Sequence, residues 1–480
     1  MGWRDEDARR RLTRMPPQGG IVAVLALAGL ASSFMFTLVV PIQTKLPELL
    51  DASRDDTAWV VTATLLAAAV ITPISGRLGD MYGKRRIVLV LLAVLVVGSV
   101  VAALSQEIIG LIVGRALQGA VTGVIPLGIS ILRDVMHERR VDSAIALISA
   151  TLGVGGALGL PISAVITEYS DWHLLFWVAA ALGAVVFALV LWIVPVSVLR
   201  TGGRFDYVGA AGMTIGLVGV LLAISRGNEW GWTSVPVMVC GLGGILVLTL
   251  WGWYELRVPA PLLDLRIAGR RPVLLTNLAS VAMGFSLFAS NVAYPQMLEL
   301  PIETGGFGLS LLGASLIIMP SGLVMMIVSP FSGRLARTVG PKLLLMLGAA
   351  SLILAYGFTL VFSAEVWQIL VANILIGFGI GFGYAAMPML IMRNVPPYET
   401  GASNGLNALF RSLGTSTAAA VVGAVLATYV TDHDGMPVPT GTAFQLSFVL
   451  GGAAAVIALL VALFIPRGRD PHEQRPSLPE

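Results

Sequence analysis

Gly76-Arg77-Leu78-Gly79-Asp80-Met81-Tyr82-Gly83-Lys84-Arg85-Arg86 closes one long apolar run, 57–78, and leads into another, 86–105. The glycines permit a tight reversal and close approach of neighbouring helices. The bases Arg77, Lys84, Arg85 and Arg86 can pair with Asp80 or with helix C-termini at a membrane surface. A second copy stands 257 residues on: Gly333-Arg334-Leu335-Ala336-Arg337-Thr338-Val339-Gly340 aligns without gaps, matching at Gly, Arg, Leu and Gly. A duplicated turn predicts a duplicated unit around it.

Working outward from this turn, further apolar runs recur along the chain. Including the two above, they fall near 20–42, 57–78, 86–105, 107–132, 141–166, 172–195, 206–225, 233–254, 272–297, 307–331, 342–362, 366–392, 400–428 and 442–465. Each is about 20 residues or longer, the length a helix needs to cross a bilayer, and backbone polar groups in lipid must be satisfied within the segment. The sequence is 56% hydrophobic and 12% charged, against about 25% charged in soluble domains. Most of the chain therefore has lipid as its solvent. The 54 glycines fit close packing between membrane helices. The first run is too long for a secretory signal core and is expected to be the first helix.

Charge placement tests the count of fourteen. With the N-terminus inside, cytoplasmic segments, counting Arg77 at the end of the second run, hold 25 of the 30 Lys and Arg, beginning with Arg4, Arg9, Arg10, Arg11 and Arg14. Outside segments hold three, Lys45, Arg54 and Arg226, and two, Arg115 and Arg411, lie within runs. So strong an inside bias predicts an even number of spans and both termini in the cytoplasm. It also accounts for the +3 net charge without nucleic acid. The outside stretches around Asp51, Asp55 and Asp56, and Asp432-His433-Asp434, read as solvated loops.

The expected fold is an all-α polytopic membrane protein of two pseudo-symmetric six-helix bundles with a helix pair inserted between them. The divisions expected are 1–200, 201–258 and 259–480, the last with a cytoplasmic tail. Two repeated bundles about a central path are a transporter architecture. The chemistry of an enzyme is not visible. His137, His173, His433 and His472 stand in no recognisable nucleophilic pattern, and no Gly-x-x-x-x-Gly-Lys-Ser/Thr segment occurs, so ATP is not expected to drive the protein. The single Cys240 excludes an internal disulfide and a cysteine-built metal site. No cofactor or metal is expected.

The Gly76–Arg86 turn resembles the loop signature between helices 2 and 3 of the major facilitator superfamily. The resemblance implies a latch on the cytoplasmic side, made of Gly76, Arg77, Asp80, Gly83, Lys84, Arg85 and Arg86, that opens and closes as two bundles rock. Gly114-Arg115-Ala116-Leu117-Gln118-Gly119 resembles the family's helix-4 motif, whose Arg is linked to proton coupling; snorkelling to the interface is the plainer alternative for Arg115. The stretch Gly159–Trp172, with Gly153, Gly155 and Gly156 before it, is similar to the helix-5 pattern of drug antiporters. Gly159 and Trp172 match. The proline stands one place late, at Pro161, and two expected glycines are Ser163 and Ala164.

Phe205-Asp206-Tyr207-Val208-Gly209, Pro261-Leu262-Leu263-Asp264-Leu265-Arg266 and Gly405-Leu406-Asn407 followed by Phe410-Arg411-Ser412 extend the resemblance to the fourteen-helix drug:proton antiporter branch. That branch carries an Asp in helix 1 shortly before a Pro. Here Ser32 to Pro41 contains no acid, and no run has one near its centre. Glu299, after Asn291, Tyr294 and Gln296, is the nearest candidate for a proton carrier, beside Arg115. Asn277, Asn291, Asn404, Asn407 and Arg411 are the polar candidates for a central cavity, since a charge should not face lipid. Met387, Met389, Met392 and Tyr384 suit an adaptable apolar site, or ordinary helix packing.

The resemblance implies a monomer in the cell membrane of a bacterium that exports amphipathic compounds in exchange for protons. Uptake or exchange of a polar metabolite is the alternative, and a membrane-embedded enzyme or receptor a third.

Overall fold

The structure, a computed structural model, describes residues 18–43, 45–196, 201–433 and 436–466. Fourteen helices long and apolar enough to cross a membrane lie among them. We number them α1 (Gln18–Thr37), α2 (Arg54–Tyr82), α3 (Lys84–Leu104), α4 (Ile108–Val135), α5 (Glu138–Tyr169), α6 (His173–Ile193), α7 (Tyr207–Trp230), α8 (Val235–Glu255), α9 (Arg271–Glu299), α10 (Leu311–Val339), α11 (Pro341–Val361), α12 (Val366–Asn394), α13 (Thr400–Thr428) and α14 (Gly441–Leu463). The basic segment Arg4–Arg14, Asp434 and the tail with His472 lie outside the described residues.

The sequence repeat is a structural one. α2 and α10 each span 29 residues and end at a glycine with positive φ, Gly83 (φ 107) and Gly340 (φ 85), from which the next helix starts at once. Only glycine adopts such a φ without strain, which is why both copies end in Gly. We call the end of the molecule bearing these turns the basic face.

Helices α1–α6 pack among themselves through α1–α5, α3–α6, α3–α4 and α2–α4, and α9–α14 through α9–α13, α11–α12, α10–α12 and α9–α14. The two groups meet along α5–α10 and α2–α13, with α5–α12 and α4–α13 between. The pair α7–α8 packs on itself and touches the rest through α7, against both α2 and α13. α8 faces outward along most of its length, with Val239, Leu242, Ile245, Leu246 and Trp253 exposed, as a lipid-facing helix requires.

α4 changes to a tighter 3₁₀ turn over Ala120–Gly123. Such a mid-helix turn re-aims the second half of a helix. Gly119 precedes it and Gly123 ends it; a methyl at Gly119 would run into the Thr64 carbonyl and one at Gly123 into the Ser75 hydroxyl.

Two details depart from expectation. α7 runs five residues past the predicted 225, so Arg226 sits inside it, 1% exposed, rather than in an outside loop. It bonds Glu229 and the Asp55 carbonyl (3.0 Å) and lies 4.7 Å from the Trp59 ring. The loop expected at Asp432 is an antiparallel hairpin, β1 (Val430–His433) with β2 (Met436–Pro439), in which Val430 faces Pro439 and His433 faces Met436.

Candidate functional site

The turn residues assemble at the basic face, where α2 of one bundle meets the start of α13 of the other. A methyl at Gly76 would run into the carbonyl oxygen of Gly401, so glycine is what lets the two backbones touch. This contact brings the Asp80 carboxylate to the N-terminus of α13. Asp80 accepts from the backbone N–H of Gly401 (3.1 Å) and of Ala402 (2.9 Å). The first amides of a helix have no partner within it and carry its positive dipole end, so the buried acid meets a complementary partial charge from the facing bundle.

Lys84 adds a second tie. Its Nζ lies 2.7 Å from Asp134 Oδ2 and 3.9 Å from Asp80 Oδ1, and donates to the Thr400 hydroxyl across the seam at 3.2 Å. Ser130 of α4 bonds the same hydroxyl. Of the other turn residues, Arg85 donates to the carbonyl of Leu191 near the end of α6, Arg77 is partly buried, and Arg86 is exposed.

The second copy of the turn is built differently. Gly333 of α10 packs on the backbone of Ser143 in α5, and Asp142 beside it takes an ion pair from Arg393 at 3.3 Å. In the ungapped alignment Arg337 takes the place of Asp80, and a cation cannot accept from helix N-terminal amides.

Within the bundle α1–α6, Arg115 is 1% exposed. Its Nη1 donates to the Met35 carbonyl (2.8 Å) and to Gln118 Oε1 (2.9 Å), and Gln118 passes on to Ser99 (2.8 Å). The side chain thus turns inward, to α1 and α3, and does not snorkel. Gly155 and Gly159 lie against α1: a methyl at Gly155 would stand 2.5 Å from Ser33 Cβ, and one at Gly159 would meet Thr37. Pro161 follows inside α5.

A small cavity of about 10 Å³ lies between the bundles. Arg411, Asn407 and Asn404 of α13, Ser149 of α5, Ile125 of α4 and Pro388 of α12 contribute to its wall. Spacings of three and four residues put the three α13 side chains on one helix face. Asn407 is buried and donates to Asn277 (2.9 Å) and Ser280 (2.7 Å) of α9. Arg411 stacks over the Tyr384 ring at 4.9 Å.

Asn291 and Glu299 lie apart from this wall, both exposed on the C-terminal half of α9. Sequence reasoning named Tyr384 for an adaptable apolar site or for helix packing, and did not name Ser130, Thr400 or Ser149. A lone Ser or Thr in an apolar run carries no signal of what it touches. His173, one of the histidines, holds Asp171 (2.5 Å) and the Ser105 carbonyl (3.1 Å) between helix ends. Among the described residues no three His, Cys, Asp or Glu side chains could hold a metal.

Comparison with known proteins fits this geometry. The sequence pattern of the Major Facilitator Superfamily matches residues 25–419. The chain is 28% identical to the lincomycin resistance protein LmrB of Listeria monocytogenes over 468 residues, which is 94% of this chain and 97% of that one. It is 25% identical to the multidrug resistance protein Stp of Mycobacterium tuberculosis, over 85% of this chain and 76% of that one. Among solved structures, the human organic anion transporter MFSD10 has the same fold, with a TM-score of 0.64 at 16% identity, over 93% of this chain and all of that one.

Proposed function

The chain belongs to the Major Facilitator Superfamily and is a multi-pass transporter of the cell membrane rather than an enzyme; on that premise we propose that it exports amphipathic, drug-like or antibiotic-like compounds by alternating access, in exchange for protons. The observation that carries the mechanism is the clasp of Asp80 on the amides of Gly401 and Ala402. It joins two bundles through groups that separate as soon as α2 leaves α13. The basic face is then the cytoplasmic one, as the distribution of Lys and Arg supports, and this conformation is closed toward the cytoplasm.

In this account the chain divides into bundles 1–200 and 259–480, with 201–258 as the inserted pair. Gly76, Arg77, Asp80, Gly83, Lys84, Arg85 and Arg86 form the latch. Gly155, Gly159 and Pro161 let α5 pack closely on α1. Arg411 and Asn407 line the substrate path, with Asn291 nearer the outside. Arg115 and Glu299 are the groups assigned to proton coupling. The working unit is a monomer in lipid. Export, rather than uptake, is supported by the resistance proteins to which the chain is similar over most of its length.

The test is accumulation of a fluorescent lipophilic compound in cells that lack their own efflux pumps. Expression of the chain lowers accumulation, a protonophore restores it, and Asp80→Asn fails to lower it. Raised accumulation on expression would instead establish uptake.

A further inference from the structure

Arg411 sits mid-span in α13, and the charge on it is unanswered. Among the described residues its guanidinium has no hydrogen bond and no ion pair, only the face of Tyr384 at 4.9 Å. Arg411 is itself partly buried, whereas the cations fully buried in spans have polar partners. Arg115 has Met35 and Gln118, Lys84 has Asp134, and Arg226 has Glu229 and Asp55. Near the centres of the spans there is no acid to balance it.

A cation within a membrane span without a counter-charge is costly, and it persists where something else requires it. The wall around it is prepared in the same way. The Ser149 hydroxyl, on a residue 2% exposed, has no partner, and neither does Asn404 Oδ1, on a residue 3% exposed. Both residues and Arg411 line the same cavity between the bundles. That space is about one water molecule in size here, so a larger occupant enters when the bundles part.

We infer that Arg411 is the anchor for an anionic group, so that the transported compounds are amphipaths bearing a carboxylate or a comparable acid, and not permanent cations. The guanidinium fork takes the two oxygens of the acid, and the Ser149 hydroxyl donates beside it. Asn404 Oδ1 takes an N–H or O–H of the same molecule. The apolar part of the wall, which includes Ile125, Ile129 and Leu152, receives its apolar body. The inference rests on the export reading for its biological meaning, but the binding it predicts does not depend on transport.

The test uses the purified full chain in detergent and three matched probes: a biphenylalkyl carboxylate, its methyl ester, and the corresponding alkylammonium. Equilibrium binding is expected to favour the carboxylate over the ester by about tenfold or more, the scale of one charge-assisted contact, with the ammonium weakest. Arg411→Gln is expected to make carboxylate and ester equal, while Arg411→Lys keeps part of the preference. Retention of the charge in the Lys variant separates a lost anchor from a misfolded protein.

Equal binding of all three probes to the unaltered chain, tightest binding of the ammonium, or an unchanged ranking in Arg411→Gln would each overturn the inference. Flux of the same probes in liposomes then separates the two ideas. Carboxylate binding without flux sinks the export reading and leaves the anion site standing.

Discussion

Asp80→Asn is the most informative single change, because the structure states what it removes. An ionised acceptor bonded to backbone N–H contributes about 1.5–3 kcal/mol per bond, and Asp80 makes two such bonds across the seam. Asn retains one acceptor oxygen, and its amide nitrogen would face a donor, so at least one bond and the favourable charge at the α13 N-terminus are lost. Lys84 keeps Asp134 at 2.7 Å, so no buried cation is stranded. The net loss is about 2–4 kcal/mol, felt only in the conformation whose basic face is sealed. That shifts the ratio of sealed to open forms by roughly 30- to 1000-fold.

The assay is a distance measurement by paired spin labels at positions 82 and 398, where Tyr82 and Tyr398 are exposed on the basic face, with Cys240 replaced. The unaltered chain should give a dominant short distance, and Asp80→Asn a dominant long one. Gly76→Ala supplies a control that leaves every charge in place. Its methyl meets the Gly401 carbonyl and should open the same face by steric means. If the Asn variant keeps the short distance while Gly76→Ala loses it, backbone fit holds the seam and the carboxylate does not, which refutes the electrostatic argument.

Other expectations are as direct. Arg115→Gln should abolish transport while leaving the protein in the membrane, since Met35 and Gln118 lose their shared donor; normal transport would remove Arg115 from the mechanism. Gly159→Ala should lower the melting temperature in detergent because of Thr37, and adding Thr37→Ala should recover part of the loss, the Phe34 ring at 3.1 Å and the retained Cβ of residue 37 at 3.2 Å accounting for the remainder. Glu299→Gln should leave substrate binding intact but make efflux insensitive to the pH gradient; gradient-driven efflux by this variant would send the search for the proton carrier elsewhere.

What the sequence made legible follows from the solvent. Lipid forces each crossing to declare itself as a long apolar helix, so all fourteen were countable, and the Gly83 and Gly340 turns were visible as a repeat. Helix ends were less so. Polar residues continue a helix into the interfacial layer, and this hid Arg226 from a reading based on apolar length. The Val430–Pro439 hairpin was hidden because its residues, among them Pro437 and Pro439, resemble any outside loop.

The partners of Asp80 were readable only in part. Lys84, one of the neighbouring bases expected to pair with it, stands 3.9 Å away, but its hydrogen bonds go to amides more than 300 residues away, and a backbone N–H has no letter in the sequence. Arg411 was marked as conspicuous by its place in an apolar run. Asn404 was named with it as a cavity candidate, but only the structure places Tyr384 and Ser149 beside it.

The most direct test of the whole account is dye flux in liposomes containing only the purified chain, oriented and subjected to an imposed pH gradient. The account predicts movement of an amphipathic dye against its own gradient, coupled to proton flow in the opposite direction and abolished in Asp80→Asn. Movement that merely dissipates the dye gradient, with no proton counterflow, would contradict proton-driven export and identify a passive carrier.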